Sequence, residues 1–245
     1  MDTKRDPWPE LPPQSEEPRE TPRHGFQGNR GQKVPAVPKV PAALTIAISR
    51  EAGARGGTVS RRVGKKLGWQ VYNQELLEYV AQEGAFRQDV VENLSPAAAV
   101  WAEECLQALL REQNLSQHPS IVNLARVVLA LGAQGEAVLI GRGAGCILPP
   151  ESTLNVRIVA PLADRIAYMS QWLRLTVDEA AEQVRLRDNG RAEFISTHFH
   201  RQPSDIYQYD LLLNSSLLGE DLCVELIVQA ARAKLASRKS KSDAP

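Results

Sequence analysis

The sequence predicts an α/β domain of three layers, in which helices cover both faces of a parallel β-sheet. Short apolar runs recur along the chain, and such runs suit strands that are buried on both faces of a parallel sheet. Helical periodicity fills the intervals between them, which favours right-handed crossovers between parallel strands. The five predicted strands are residues 44–48 (LTIAI), 69–72 (WQVY), 137–141 (AVLIG), 154–160 (LNVRIVA) and 210–214 (DLLLN).

Helix signals lie in every interval between the predicted strands. Gly68 is a typical stop for the first helix. Thr176 and Glu179 have the spacing of a capping box, in which each side chain accepts a hydrogen bond from the other residue's backbone. The predicted helices are residues 58–67, 74–83, 96–134 with an interruption near His118 and Pro119, 162–173, 176–187 and 221–235.

Charge and composition exclude several classes of protein. The 245 residues carry 29 Lys and Arg against 29 Asp and Glu, and a net charge of zero argues against a protein that coats nucleic acid. No apolar run reaches the ~18 residues of a membrane-spanning helix. Three cysteines without a C-x-x-C pair favour a reducing compartment over a disulfide framework. We therefore expect a cytoplasmic protein that binds neither nucleic acid nor membranes.

The first 42 residues differ in composition from the rest of the chain. Nine of the 16 prolines lie in this stretch, together with mixed charges and few aliphatic residues. Such a segment buries too little apolar surface to offset the entropy of ordering, so we predict a disordered tail over 1–42. The run PWPELPP is compatible with a docking motif for an unknown protein partner or with a plain solvated tail. The folded domain is predicted over 43–237, with a frayed end over 238–245.

A glycine-rich turn follows the first predicted strand. Glycines let a backbone turn tightly and bring its N–H groups close to a ligand, and Thr58 then opens a helix whose N-terminus favours anions. We predict a phosphate site here; the alternative is a strand-to-helix turn that uses glycine for geometry alone. The predicted phosphate-binding residues of the turn are Gly53, Ala54, Arg55, Gly56, Gly57 and Thr58.

The turn departs from the common phosphate-binding string G-x-x-x-x-G-K-[ST]. When Gly57 and Thr58 are set on the end of that string, Gly56 occupies the place of the lysine. Arg50 and Arg55, which flank the glycines, are the candidates to supply the missing charge.

Three segments together resemble the cytidylate kinase-like proteins: ISREAGARGGTVSRRVGKKLGWQVYNQELL, VLIGRGAGCIL and YDLLLNSSLLG. The resemblance covers roughly residues 44–235. It implies a P-loop fold with a five-stranded parallel sheet in the order 2-3-1-4-5 and a helical lid. It also implies transfer of the γ-phosphoryl group of ATP to a nucleoside monophosphate, typically CMP, with Mg²⁺. Small nucleotides would then be the ligands.

The resemblance also assigns roles to residues outside the turn. Arg142 falls on a G-R-D motif whose arginine binds the acceptor phosphate, although Gly143 replaces the aspartate. Asn73 falls where the family has an aspartate near the acceptor, and Tyr79 replaces an arginine. Thr58 would help to hold Mg²⁺. The resemblance places Arg185, Arg187 and Arg191 on the lid, where Arg185 would bind ATP, and the predicted catalytic residues are Arg50, Arg142, Arg187 and Arg191.

Alternatives remain at this point. The lid arginines fit a solvated helix face equally well, which is the usual position of a run of charges. His198 and His200 would share one side of a strand, but no third metal ligand stands at a recognisable spacing, so we interpret them as surface or lid residues. For the whole chain, the alternative to a kinase is a nucleotide-binding module with little or no transferase activity.

Overall fold

The computed structural model describes residues 43–84, 90 and 92–242. Its centre is one sheet of five parallel strands in the order β2-β3-β1-β4-β5, which confirms the predicted fold class and strand order. Each predicted strand is present, with ends that differ by one or two residues. The strands are β1 (Thr45–Arg50), β2 (Gln70–Tyr72), β3 (Ala137–Ile140), β4 (Thr153–Val159) and β5 (Leu211–Asn214).

Helices flank the sheet, as the alternating pattern predicts. Among the described residues they are α1 (Gly56–Leu67), α2 (Gln74–Gln82), α3 (Pro96–Arg111), α4 (Pro119–Gln134), α5 (Ala144–Ile147), α6 (Leu162–Leu173), α7 (Val177–Phe199) and α8 (Ser215–Ser242). The backbone of α8 is interrupted at Gly219, whose φ of 74° is not helical. No helix in the described part of the chain is long and apolar enough to cross a membrane.

Side chains of β1 alternate between two apolar cores, because successive residues of a strand point to opposite faces of the sheet. Ile46 and Ile48 are buried with residues of α1 and α8 on one face. Ala47 is buried with residues of α2 and α4 on the other. β1 is therefore covered on both sides, and its carboxyl end is held firmly between two layers.

The limits of two predicted helices differ in the structure. The helix predicted over 176–187 continues without a break to Phe199, so it is about twice the expected length. Gly190 weakens the helix signal but does not break the helix, and a Cβ at this position would have no neighbour within 4 Å among the described residues. The last helix, predicted over 221–235, continues to Ser242, and a turn of helix from Ser215 precedes it before the interruption at Gly219. Asn214 Oδ1 accepts hydrogen bonds from the backbone N–H groups of Ser216 and Leu217 and so supports the start of that turn.

The chain termini lie mostly outside the described residues. The tail predicted over 1–42 falls wholly outside them, and so do residues 243–245. Helix α8 continues to Ser242, and the Arg238 guanidinium donates to the Ala43 carbonyl at 2.9 Å. The domain limits of 43–237 and the frayed end stay predictions.

The capping box at the start of α7 is confirmed. The Glu179 N–H donates to Thr176 Oγ1 at 3.3 Å, and the Thr176 N–H donates to Glu179 Oε2 at 2.9 Å. The bond from the Thr176 N–H, and a further one from the Thr176 hydroxyl to the same oxygen, lower the pKa of the Glu179 carboxyl. The box fixes where α7 begins, and through it the position of the charged residues along the helix.

We expect Thr176→Ala to lower the free energy of unfolding by about 1 kcal/mol, because the Glu179 N–H in the first turn of α7 loses its acceptor. Chemical denaturation measures the change. Thr197→Ala, at an exposed position near the end of the same helix, is the matched control and should stay within about 0.5 kcal/mol of the wild type. Equal losses in the two variants would contradict a role for the cap.

Candidate functional site

The candidate site lies at the carboxyl edge of the sheet, where β1 and β3 end side by side. The Gly141 N–H donates to the Ile48 carbonyl at 3.0 Å, so the turn after β3 stays beside the end of β1. Arg50 is the last residue of β1, and Arg142 lies two residues after the end of β3. This edge is where open parallel sheets bind ligands, because the strand-to-helix turns meet there.

The turn between β1 and α1, residues 51–55, is called the glycine loop here. Gly53 has a φ of +81°, and a Cβ at this position would lie 2.5 Å from the Arg165 carbonyl oxygen, so only glycine fits. Arg55 is also left-handed, with a φ of 57°, and forms the N-cap of α1. The loop is therefore bent sharply and pressed against α6.

The loop and the start of α1 present donors to a ligand. Among the described residues, nothing accepts a hydrogen bond from the backbone N–H groups of Gly53, Arg55, Gly56 or Gly57. The first turn of a helix also carries the positive end of the helix dipole. This arrangement suits a phosphate group, as the sequence predicts.

Arg50 explains the glycine where a lysine is common. A Cβ at Gly56 would lie 2.6 Å from the Arg50 Cβ, so the arginine stem already fills the space that any side chain at position 56 would need. The Arg50 guanidinium continues towards Gly141 and donates to Gln74 Oε1 at 3.5 Å. A lysine at 56 and an arginine at 50 exclude each other in this backbone.

Four arginines line one cleft beside the loop: Arg50, Arg142, Arg157 and Arg191. The cleft, called the arginine cleft below, is partly open to solvent. Its described lining includes Phe194 and Tyr209 but no Asp or Glu. Clefts that combine apolar walls with a few convergent polar groups are typical of small-molecule sites. The positive charge of the four arginines favours an anionic ligand.

Burial and mutual repulsion destabilise the charged forms of Arg50 and Arg191. The pKa of the Arg50 guanidinium is lowered to about 10, mainly by burial and then by the charges of Arg191 and Arg142, while Glu75 opposes the shift. The pKa of Arg191 is also lowered, mainly by burial and against the opposing charge of Asp188. A bound anion would favour the charged form of both groups, so the cleft is electrostatically prepared for one.

Arg142 is held by a carboxylate and an aromatic ring. It forms an ion pair with Glu78 of α2, and its guanidinium lies 4.8 Å from the centre of the Phe194 ring. Its Nε is buried, and no described residue accepts a hydrogen bond from it. The residue has a φ of 49°, in the left-handed region. Arg142 is thus aimed into the cleft with one donor unused.

Sequence reasoning missed Arg157 and Tyr209. Arg157 projects from β4 into the cleft, 5.7 Å from the centre of the Tyr209 ring, and lies 3.9 Å from Glu51. The signal was a lone arginine inside the apolar run LNVRIVA, because a buried strand rarely carries a charge without a function or a partner. Tyr209 donates its hydroxyl proton to the Pro203 carbonyl at 3.0 Å and also lines the cleft.

Several predicted site residues lie outside the lining of the arginine cleft. Arg185 is exposed and donates to Glu182 at 2.9 Å, and Arg187 is also exposed. Asn73 caps α2, since its Oδ1 accepts from the Leu76 N–H at 2.9 Å, while its neighbour Gln74 lines the cleft.

On the outer side of the glycine loop, Arg55 and Thr58 have surface partners. Arg55 lies over the Tyr168 ring and 3.9 Å from Glu220. Thr58 is in the first turn of α1, where its Oγ1 accepts from Arg61 at 3.4 Å. The structure thus brings together Arg50, Arg142 and Arg191 in the cleft, and Gly53, Ala54, Arg55, Gly56, Gly57 and Thr58 around the loop.

The histidine pair does not form a metal site. His198 is in the last turn of α7 and His200 is its C-cap, so the two are on a helix end and not on a strand. Within the described ranges, no group of three or more His, Cys, Asp or Glu side chains is placed to hold a metal ion.

Arg50→Met should raise the melting temperature at pH 8. The variant keeps the stem against Gly56 and removes a charge whose pKa is lowered on folding to about 10. The folded state binds this proton less tightly than the unfolded chain, so the charge is destabilising below about pH 10 and the penalty fades as pH rises through that value. We expect the melting temperature to rise by about 2–4 °C for each kcal/mol by which removal of the charge stabilises the folded state.

Thermal denaturation at pH 8 and above pH 10 tests this expectation, and the gain should shrink at the higher pH. Arg126→Met, on α4 outside the cleft, is the control and should leave the melting temperature unchanged. A lower melting temperature for Arg50→Met at pH 8 would contradict the electrostatic argument.

Known proteins are similar to this chain in sequence or in structure. The cytidylate kinase of Ignicoccus hospitalis is 23% identical over 184 residues, which cover 74% of this chain and 95% of that protein. An uncharacterized protein from Eubacterium ventriosum has a similar structure, with a TM-score of 0.54 and 18% identity over 77% of this chain and 98% of its own. Shikimate kinase from Bacteroides thetaiotaomicron is similar with a TM-score of 0.41 and 13% identity, over 79% and 98% of the two chains.

At these identities the structural likeness concerns the fold alone. The sequence is more informative, because the pattern of the cytidylate kinase-like family matches residues 45–217, from β1 to the start of α8. That range includes the glycine loop and the four arginines of the cleft, so the resemblance carried by the three segments is confirmed. This chain belongs to the cytidylate kinase-like family.

Proposed function

We propose that this protein is a nucleoside monophosphate kinase that transfers the γ-phosphoryl group of ATP to a nucleoside monophosphate, with CMP as the preferred acceptor. Family and fold are those of nucleotide kinases, which supports a phosphotransferase in general. The observation that carries the specific proposal is the arginine cleft beside the glycine loop. Phosphoryl transfer requires positioning and charge neutralisation, and four convergent guanidinium groups supply both.

The glycine loop would hold the donor phosphates. Its unused N–H groups and the start of α1 suit a polyphosphate, and Gly53 and Gly56 leave the backbone uncovered. Arg50 would take the part of the absent lysine, since its stem crosses Gly56 and its guanidinium lies in the cleft. Arg55 and Ala54 complete the donor side of the loop in this proposal.

Mg²⁺ would be shared between this chain and the nucleotide. The residues present fit one protein ligand, the Thr58 hydroxyl, because it lies in the first turn of α1 next to the unused amides. Magnesium commonly keeps several waters and binds substrate phosphates with only one or two protein ligands. The ion would neutralise phosphate charge during transfer.

The acceptor phosphate would bind to Arg142. Its free Nε and its place at the end of β3 suit a charge-assisted bond to a phosphate oxygen, with Glu78 and Phe194 holding the guanidinium in position. Asn73 and its neighbour Gln74, at the start of α2, would border the acceptor.

Arg191 would cover the transferring group from α7. It donates to the Arg50 carbonyl at 3.3 Å and reaches the cleft from the lid side. Arg185 and Arg187 lie further towards the start of the same helix and are exposed, so we propose that they meet the nucleotide only when α7 moves towards it. Closure would exclude water, which otherwise competes as phosphate acceptor.

A nucleotide-binding module with little or no transferase activity is the second candidate. Gly56 in place of a lysine, and the lack of an acidic metal cluster among the described residues, favour it. It would use the glycine loop but would have little need of Arg142.

The decisive experiment is nucleotide product formation by the purified protein with Mg·ATP. CMP, dCMP, UMP, AMP and GMP are tested as acceptors, with a reaction lacking acceptor as the blank. We expect turnover with CMP, and Arg142→Ala should raise the acceptor KM by roughly 10- to 100-fold while leaving ATP affinity unchanged, because one charge-assisted contact is lost. Arg126→Ala is the matched surface control.

Two outcomes would overturn the proposal. ATP binding without turnover on any acceptor would favour the nucleotide-binding module. Turnover that is unchanged by Arg142→Ala would remove the acceptor role of the arginine cleft.

A further inference from the structure

Ala52, the second residue of the glycine loop, is held by α6 and α7 through all three of its chemical groups. Its N–H donates to Asp188 Oδ1 at 2.7 Å, and its carbonyl accepts from Arg165 Nη1 at 3.1 Å. Its methyl group is buried with Met169 of α6 and Val184 of α7. The loop is therefore anchored to the α6–α7 helix pair as well as to β1.

Arg165 is the buried centre of this anchor. The residue is 8% exposed and lies on α6. Besides the Ala52 carbonyl it donates to the Ala160 carbonyl at 3.0 Å and to Asp188 Oδ2 at 2.5 Å, and it lies 3.4 Å from Glu51. An arginine is a planar fork with five donors, so its geometry is fixed when this many acceptors surround it.

Asp188 extends the anchor to the arginine cleft. Its Oδ1 lies 3.6 Å from Arg191 Nη1, one turn further along α7, and that guanidinium in turn donates to the Arg50 carbonyl. A single carboxylate thus contacts a loop amide, a buried arginine and an arginine of the cleft. The phosphate loop and the helix that carries Arg191 meet at this residue.

We propose that Asp188 and Arg165 are a positioning pair that fixes the glycine loop to α7, so that the donor phosphates and Arg191 keep a set geometry. The inference rests on the proposed function for its consequence in catalysis, because positioning matters through the donor phosphates. It does not rest on that function for its structural part. Neither residue is a catalytic residue in this proposal; both act through the loop backbone and through Arg191.

The anchor matters because no lysine side chain stands at position 56 to bind phosphate, so the loop depends on its backbone groups. A loop whose backbone groups must bind phosphate needs them to point the right way before the ligand arrives, because ordering a flexible loop on binding costs affinity. Gly53 supplies a sharp bend but also conformational freedom. Two hydrogen bonds at Ala52, one to each of its backbone groups, remove that freedom at the residue just before the bend.

The test compares Asp188→Asn with Glu193→Gln, an exposed carboxylate on the same helix that loses its charge in the same way. In Asp188→Asn an amide replaces the oxygen that receives the Arg165 bond, so the anchor is weakened while the side chain keeps its size. We expect ATP affinity to fall about tenfold and hydrogen exchange at residues 52–58 to become faster, with acceptor KM unchanged. Glu193→Gln should alter neither property.

A double-mutant cycle with Arg165→Gln tests the pairing. If the two residues act as one unit, the double variant loses no more ATP affinity than the worse single variant. Arg165→Lys is the second, milder variant for use if Arg165→Gln does not fold. It keeps the charge but not the fork, and it should give an intermediate loss.

The outcomes separate this proposal from the proposed function. A wild-type protein without transferase activity would overturn the kinase proposal. Faster hydrogen exchange of the glycine loop in Asp188→Asn would still support the positioning pair in that case. Normal loop exchange and normal ATP affinity in Asp188→Asn would overturn the positioning pair, even if the melting temperature falls. A rise in acceptor KM alone would assign Asp188 to the acceptor and would overturn it as well.

Discussion

The contact of Arg50 with Gly56 is the constraint on which the rest of the site depends. The last residue of the central strand lays its stem across the first residue of α1, where a Cβ would come within 2.6 Å of it. This contact removes the side chain at position 56 and sends a guanidinium into the cleft instead. It also keeps the first-turn amides of α1 uncovered beside that charge. One strand end thereby combines a backbone anion site with a fixed cation.

Concentrating four arginines in one cleft costs stability in the free protein. Burial and neighbouring charges lower the pKa of Arg50 and of Arg191, so both are held in their charged form at a cost. The carboxylates that compensate, such as Glu78 and Asp188, lie behind the arginines and not in the lining of the cleft. The cations are therefore oriented from behind, and their front faces a ligand. Binding sites often lose stability in this way, because a site that satisfied itself would not need a ligand.

Much of the fold and part of the site were predictable from sequence. The features that were found depend on local signals, and the part of the site that was missed depends on contacts between distant segments. Apolar runs and helical periodicity are local signals, so the strands, the capping box at Thr176 and the glycine loop were found. The end of α7 was not, because Gly190 weakens the local helix signal while the helix continues to Phe199 and ends at His200, whose backbone is left-handed. Arg157 was missed because its position in the cleft depends on the pairing of β4 with β1, in which Arg157 lies opposite Ser49.

The sequence by itself determined the layered fold, the glycine loop and the family, since these follow from short-range patterns and from residues close in the chain. The tertiary structure decided which arginines meet. Arg50, Arg142, Arg157 and Arg191 come from three strand ends and one helix, up to 141 residues apart, and the parallel sheet brings them together because it aligns the carboxyl ends of its strands at one edge. It also decided that Arg185 and Arg187 are exposed: Arg187 shares a helix face with Arg191 but lies one turn, about 6 Å, nearer the start of α7, so only Arg191 reaches the cleft.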